Sequence, residues 1–154
     1  MQTKFDMFRT FEAKDHPLLR DWIKQYYAED HPGFLMEDEQ IDLTLNEFTK
    51  HPEKGCVLIL TEGEEAVGYC IIVYFWSNER GGNILNIDEL FIAPAHRGKG
   101  LGSAFLKELL AHPLNGSVAF ELVTTPQNSR ARELYKKLGF QESSDVHLEM
   151  LKTQ

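Results

Sequence analysis

Residues 96–103 read His-Arg-Gly-Lys-Gly-Leu-Gly-Ser, three alternating glycines beside two cations in a chain of 154 residues. Gly98, Gly100 and Gly102 carry no Cβ, so the backbone can turn tightly and approach a ligand closely, while Arg97 and Lys99 add full positive charge. A strand-like pattern ends at Ile92 and a helical one starts near Gly100. That order aims the unpaired N–H groups of a helix N-terminus at one spot, where an anion such as a phosphate fits. The dinucleotide fingerprint needs a third glycine where Ser103 stands, although Glu121 lies at about the right distance for a ribose contact. The nucleotide-loop spacing Gly-x-x-x-x-Gly-Lys-Ser/Thr does not occur.

A second constellation is acidic. From Glu29 to Glu47 there are seven carboxylates, Glu29, Asp30, Glu37, Asp38, Glu39, Asp42 and Glu47, and no Lys or Arg. Tyr26, Tyr27 and Phe34 lie beside or within it, so aromatic and anionic groups there could receive a cationic amine; the alternative is a solvated acidic loop. Trp76, at the end of a predicted strand, reads either as a further pocket wall or as core. The net charge of −8 argues against a nucleic-acid partner, yet residues 93–140 carry seven Lys and Arg against three Asp and Glu. Positive charge is therefore gathered around the glycine loop and one later helix, as an anionic ligand would require.

The elements that must position these groups follow from periodicity. Phe5–Arg9 alternates as a short strand, and Asp15 is a plausible N-cap for a helix with Leu19, Trp22, Ile23 and Tyr26 on one face. Ile41, Leu45 and Phe48 mark a second helix that ends near His51-Pro52. Cys56–Leu60 and Ala66–Trp76 form a hairpin, Asn83–Ile92 the next strand, and Leu101, Phe105 and Leu109 a helical face. Val118–Thr124 is extended, Ala131, Leu134, Tyr135 and Leu138 stripe a last helix ended by Gly139, and Val146–Leu151 reads as a closing strand. The order predicts a single α/β domain over residues 1–154, a mixed sheet with antiparallel strands first and a right-handed parallel unit later.

No apolar run reaches the roughly 20 residues of a membrane span, and the first residues, Met1 to Asp6, show no secretory pattern, so a cytoplasmic setting is expected. Cys56 and Cys70 lie in strand-like apolar runs and read as buried free thiols.

At this level the chain resembles the GNAT N-acetyltransferases. Arg97-Gly98-Lys99-Gly100-Leu101-Gly102 matches their Arg/Gln-x-x-Gly-x-Gly/Ala signature, and Asp88-Glu89-Leu90-Phe91-Ile92-Ala93-Pro94 matches the strand before it. Asn128, Ala131 and Leu134-Tyr135-Lys136-Lys137-Leu138-Gly139-Phe140 look like their second block. The resemblance implies a splayed parallel strand pair flanked by four helices, and acetyl-CoA as co-substrate with no metal. Arg97 to Ser103 would hold the pyrophosphate, Leu90, Phe91 and Ile92 would pair with the pantetheine arm, and the Ile92 amide would polarise the thioester carbonyl. Tyr135 would protonate the departing thiolate, although periodicity alone makes it a packed core tyrosine. Asn128 would bond the cofactor's amides or simply cap its helix.

Direct transfer to an amine also needs a base. Asp88 and Glu89 must point to opposite faces of a strand unless a bulge intervenes, so only one readily faces an acceptor. Related enzymes often carry a glutamate at the position of Asp88, which makes Asp88 the first choice, acting through water, and Glu89 the second. The expected acceptor is a primary amine of a cationic small molecule. A peptide lysine or N-terminus, and a non-catalytic acyl-CoA-binding module, are the alternatives. Neither nucleic acid nor membrane is expected as a partner, and a homodimer is compatible with the sequence.

Overall fold

The computed structural model describes residues 6–152 and resolves into two compact units, the first running to Val123 and the second starting at Thr124. In the first unit a five-stranded sheet has the order β1 to β5, with β1 at Phe8–Thr10, β2 at Gly55–Glu62, β3 at Glu65–Ser77, β4 at Gly82–Ile92 and β5 at Ala119–Leu122. The first four strands pair antiparallel and β5 joins β4 in parallel. Phe5, the first residue of the predicted opening strand, lies outside the described residues.

Helices α1 (His16–Asp30) and α2 (Asp38–Lys50) cover one face. Leu19, Trp22 and Ile23 from α1 and Ile41 and Leu45 from α2 are buried in one cluster with Ile59, Tyr69, Ile71 and Phe91 of the sheet. The helical stripes read from the sequence thus do the packing, and each fully buried Leu or Ile contributes roughly 1.5–3 kcal/mol. On the other face α3 (Leu101–Ala111) buries Phe105, Leu106 and Leu109, and the Phe105 ring meets Phe8 edge-on at 5.4 Å.

Asp15 precedes α1 as expected, but its carboxylate does not cap it. A short 3-10 turn, Ala13–Asp15, runs into the helix, and the buried Asp15 oxygens accept from both Arg9 guanidinium nitrogens (2.7 and 2.8 Å) and from the Glu12 amide. The paired guanidinium is the better donor, so it takes the carboxylate and lowers its pKa.

Gly68 of β3 faces Ile92 of β4, and a Cβ there would stand 2.1 Å from the Phe91 carbonyl oxygen. Gly68→Ala is therefore expected to force the two strands apart at a cost of about 1–3 kcal/mol, read as a lower midpoint in a thermal melt. An unchanged midpoint would show that the pair yields freely.

The second unit contains α4 (Ser129–Lys137). Asn128 Oδ1 accepts from the Ala131 amide at 3.3 Å, an N-cap bond. At the other end the Gly139 amide reaches the Lys136 carbonyl and the Phe140 amide the Tyr135 carbonyl, both at 3.0 Å, with Gly139 at φ 103°. This is the Schellman closure, and the Tyr135 and Phe140 rings complete it at 5.9 Å. The Leu-Gly-Phe run thus fixes the backbone of Tyr135.

The closing strand expected at Val146–Leu151 is not formed. The segment is irregular, with Val146, Leu148, Met150 and Leu151 between 80% and 95% exposed. Alternation supplies an apolar face, but a strand exists only where a neighbouring edge takes its hydrogen bonds, and no ladder includes these residues among those described.

Candidate active site

The parallel ladder between β4 and β5 stops at Ile87 and Leu122, while β4 continues beside β3 as far as Ile92. Beyond Ile87, therefore, β4 has a strand partner on one side only among the described residues. The Ala93 amide donates to Val67 of β3 at 2.9 Å, so by alternation the Ile92 amide faces the opposite, open side.

After Ile92 the chain turns through a short 3-10 segment, Pro94–His96, and enters α3. Gly98 and Gly100 adopt φ of 79° and 76°, the left-handed region that a side chain disfavours, and a Cβ on either would meet nothing within 4 Å. The Cβ directions of these two glycines thus point into open space. The Leu101, Gly102 and Ser103 amides, in the first turn of α3, find no acceptor among the described residues. A cradle of free N–H groups at a helix N-terminus suits a phosphate oxygen, so the residues present fit an anionic group.

The two loop cations behave differently. Lys99 is exposed. Arg97 folds back, its Nε donating to the Ile92 carbonyl and its Nη2 to Glu29 of α1, both at 2.8 Å, with the guanidinium 5.3 Å from the Phe91 ring centre. Arg97 thus ties the loop to α1. His96 lies 3.3 Å from Glu65.

The register of β3 and β4 slips where Ile71 faces Glu89 and Ile72 faces Ile87, leaving Asp88 as the extra residue of a bulge. The bulge lifts the restriction that adjacent strand residues face opposite ways, and both Asp88 and Glu89 line one pocket of 320 Å³. Its apolar walls are Ile23, Met36, Ile41, Phe48 and Ile71, and Tyr27, Gln40 and Thr44 supply neutral polar groups. Such a volume lies at the small end of ligand pockets, which run from roughly 300 to 1,000 Å³.

Glu89 is only 5% exposed and accepts a 2.9 Å hydrogen bond from the Tyr69 hydroxyl. Burial raises its pKa from the ordinary 4.5 to about 7; the Tyr27 and Tyr69 hydroxyls oppose the shift and the Asp88 charge adds to it. Asp88 is exposed, yet the concave walls strip part of its hydration, which also raises its pKa. Tyr69 is fully buried and stacked on Phe91 at 5.6 Å, so the carboxylate's partner is rigid. Tyr69 was not among the residues singled out from the sequence; its place beside Glu89 on the neighbouring strand becomes visible only through the register.

Of the residues expected to receive the acceptor, Tyr27 lines the pocket. Tyr26 packs edge-on against Tyr27 at 5.2 Å, and Phe34, half exposed, lies against Tyr27 at 5.3 Å. Glu29 is held by Arg97, Asp30 is exposed at the end of α1, and Trp76, 67% exposed, stands opposite Asn83 away from the pocket lining. The acidic stretch is largely neutralised locally. Asp38 pairs with Lys24 at 2.6 Å, Asp42 with Arg20 at 2.6 Å and His16 at 2.8 Å, and Glu47 with Lys54 at 2.5 Å. Glu37 is spent in a capping box with Gln40.

Among the described residues, no group of three or more His, Cys, Asp or Glu is placed to hold a metal, and no helix is long and apolar enough to cross a membrane. Cys56 and Cys70 are free thiols, the second fully buried.

The site thus combines a mixed sheet with a half-open strand, a glycine-rich loop at the start of the following helix and a carboxyl-lined pocket on the same strand. The model of the acetyltransferase (GNAT) family matches residues 16–140, and the chain belongs to that family. It is 32% identical over 86 residues to the thialysine N-epsilon-acetyltransferase of Bos taurus, a match covering 55% of this chain and 50% of that protein. The chain thus spans about half the length of the first curated relatives it matches. Among solved structures, an integron cassette protein from the mobile metagenome of Cole Harbour Salt Marsh superposes with a TM-score of 0.79 at 28% identity, covering 96% of this chain and 91% of that one. A possible acetyltransferase from Clostridium difficile 630 gives 0.82 at 18% identity, covering 96% and 97%, and shares the fold.

Proposed function

We propose that the protein transfers an acetyl group from acetyl-CoA directly to a primary amine of a small molecule, with Glu89 as the base. The observation that carries this reading is a buried carboxyl held near neutrality in a pocket on the strand that leads into the anion cradle. A base is most effective when its pKa lies near the working pH, and Glu89 meets that condition better than an exposed carboxylate. The thialysine acetyltransferase relative, whose name places the acetyl group on a side-chain amine, supports a small amine acceptor.

In this reading the amides of Leu101, Gly102 and Ser103 and the Lys99 ammonium hold the pyrophosphate, and the open edge of Leu90 to Ile92 pairs with the pantetheine arm. Acetyl-CoA supplies an activated thioester. Glu89 takes a proton from the bound ammonium, and the freed nitrogen lone pair forms the C–N bond at the carbonyl carbon. The Ile92 amide bonds the carbonyl oxygen as charge develops there, an interaction worth roughly 3 kcal/mol in such sites. The C–S bond then breaks, the nitrogen releases its second proton to solvent, and the thiolate takes up one proton, so that amide and CoA thiol leave neutral; the family resemblance gives that donation to the Tyr135 hydroxyl, which would recover its proton from solvent. Asp88, at the same pocket, stabilises the incoming cation. Asn128 serves as the cap of α4.

Steady-state release of CoA thiol with a panel of primary amines tests the reading; binding of acetyl-CoA without turnover of any amine would leave only a binding module. For the cradle, Lys99→Ala is expected to weaken CoA binding roughly five-fold at low salt and less at high salt. Because Glu29 neutralises Arg97, Glu29→Gln should instead tighten binding. Isothermal titration at two salt concentrations reads both, and the cradle assignment fails if neither moves.

A further inference from the structure

We infer that the acceptor is a monoamine on an apolar body, an alkyl- or arylalkylamine, rather than a polyamine or a multiply aminated sugar. This rests on the acetyl-transfer reading above and deepens it by naming the substrate class. All the negative charge in the pocket comes from Asp88 and Glu89, neighbours on β4. The walls given by α1, the link to α2, α2 and β3 are Ile23, Met36, Ile41, Phe48 and Ile71. One ammonium can be met at the β4 wall; a second, anywhere along the opposite walls, would be desolvated against carbon with no counter-charge.

The neutral polar groups do not repair this. Gln40 is committed through its Oε1 to the Glu37 amide at 3.1 Å, and the Thr44 hydroxyl donates to the Gln40 carbonyl at 3.2 Å. The α2 carboxylates that a polycation would need, Asp38, Glu39, Asp42 and Glu47, are absent from the lining, and three of them already engage Lys24, Arg20 and Lys54. The volume of 320 Å³ equals roughly ten waters at about 30 Å³ each, room for a small amine of one ring or a short chain.

The test compares amines of matched length on the intact protein at saturating acetyl-CoA: pentylamine against 1,5-diaminopentane, and hexylamine against 1,6-diaminohexane, with CoA thiol release as the readout. The expected result is a kcat/KM for each monoamine roughly ten-fold or more above its polycationic counterpart. A diamine or polyamine used as well as or better than the monoamine would overturn this inference while leaving acetyl transfer intact. No turnover of any amine would remove the acetyl-transfer reading and this inference with it. Thr44→Asp, which puts a carboxylate on the α2 wall, should shift the ratio toward 1,5-diaminopentane, and an unchanged ratio would count against the wall as the source of selectivity.

Discussion

Glu89→Gln is expected to lower kcat/KM for amine acetylation by on the order of 100-fold or more while leaving acetyl-CoA affinity nearly unchanged. Glutamine keeps the volume and can still accept the Tyr69 hydroxyl bond, so the pocket survives and only proton acceptance is lost. In the native protein log kcat/KM should rise with pH below about 7 and level off above it, because the base works deprotonated and its pKa is raised to about 7. The variant should lose that limb. Asp88→Asn should cost less and shift the limb slightly downward, since the Asp88 charge helps raise the Glu89 pKa. A larger loss with Asp88→Asn than with Glu89→Gln would make Asp88 the base.

The contrast between these two carboxylates shows where sequence reading stops. The shape of the loop at Arg97 to Ser103 is legible because it is local: positive φ, free amides and charge are properties of consecutive residues. The hairpins and the helical stripes are legible for the same reason, since burial on one face imposes a period. The bulge at Asp88 is not, because it depends on how β4 registers against β3, and nothing in Ile87-Asp88-Glu89 announces it. Tyr69, which holds Glu89 across the same ladder, is hidden for that reason too.

Charge was legible in number and not in partnership. The seven carboxylates between Glu29 and Glu47 read as a basin for a cation, but α2 sets Asp38 and Asp42 against Lys24 and Arg20 of α1, and Lys54 closes on Glu47. These pairs are exposed or partly exposed and screened by solvent, so the two between α1 and α2 align the helices more than they stabilise them. Within the pocket, what remains to attract an amine is the pair on β4. The closing segment fails in a similar way: Val146, Leu148 and Met150 alternate correctly, yet pairing is a property of two strands and only one was on view.

The same Glu89→Gln substitution is expected to stabilise the fold at pH 8, opposite in sign to its effect on catalysis. A carboxyl with a folded pKa of about 7 against an ordinary 4.5 binds its proton more tightly in the native state. The stability tied to that proton is fully present below pH 4.5, declines as pH rises, and is gone above about 7. At 1.36 kcal/mol per unit the loss amounts to about 3 kcal/mol, a figure applicable because the side chain is buried. Glutamine stays neutral at every pH and avoids it. Thermal melts should therefore show the variant above the native protein by on the order of 5 °C at pH 8 and equal to it near pH 4.5. Parallel melting curves across that range would mean that the Glu89 proton is not linked to folding, and the buried, charged base would lose its energetic signature.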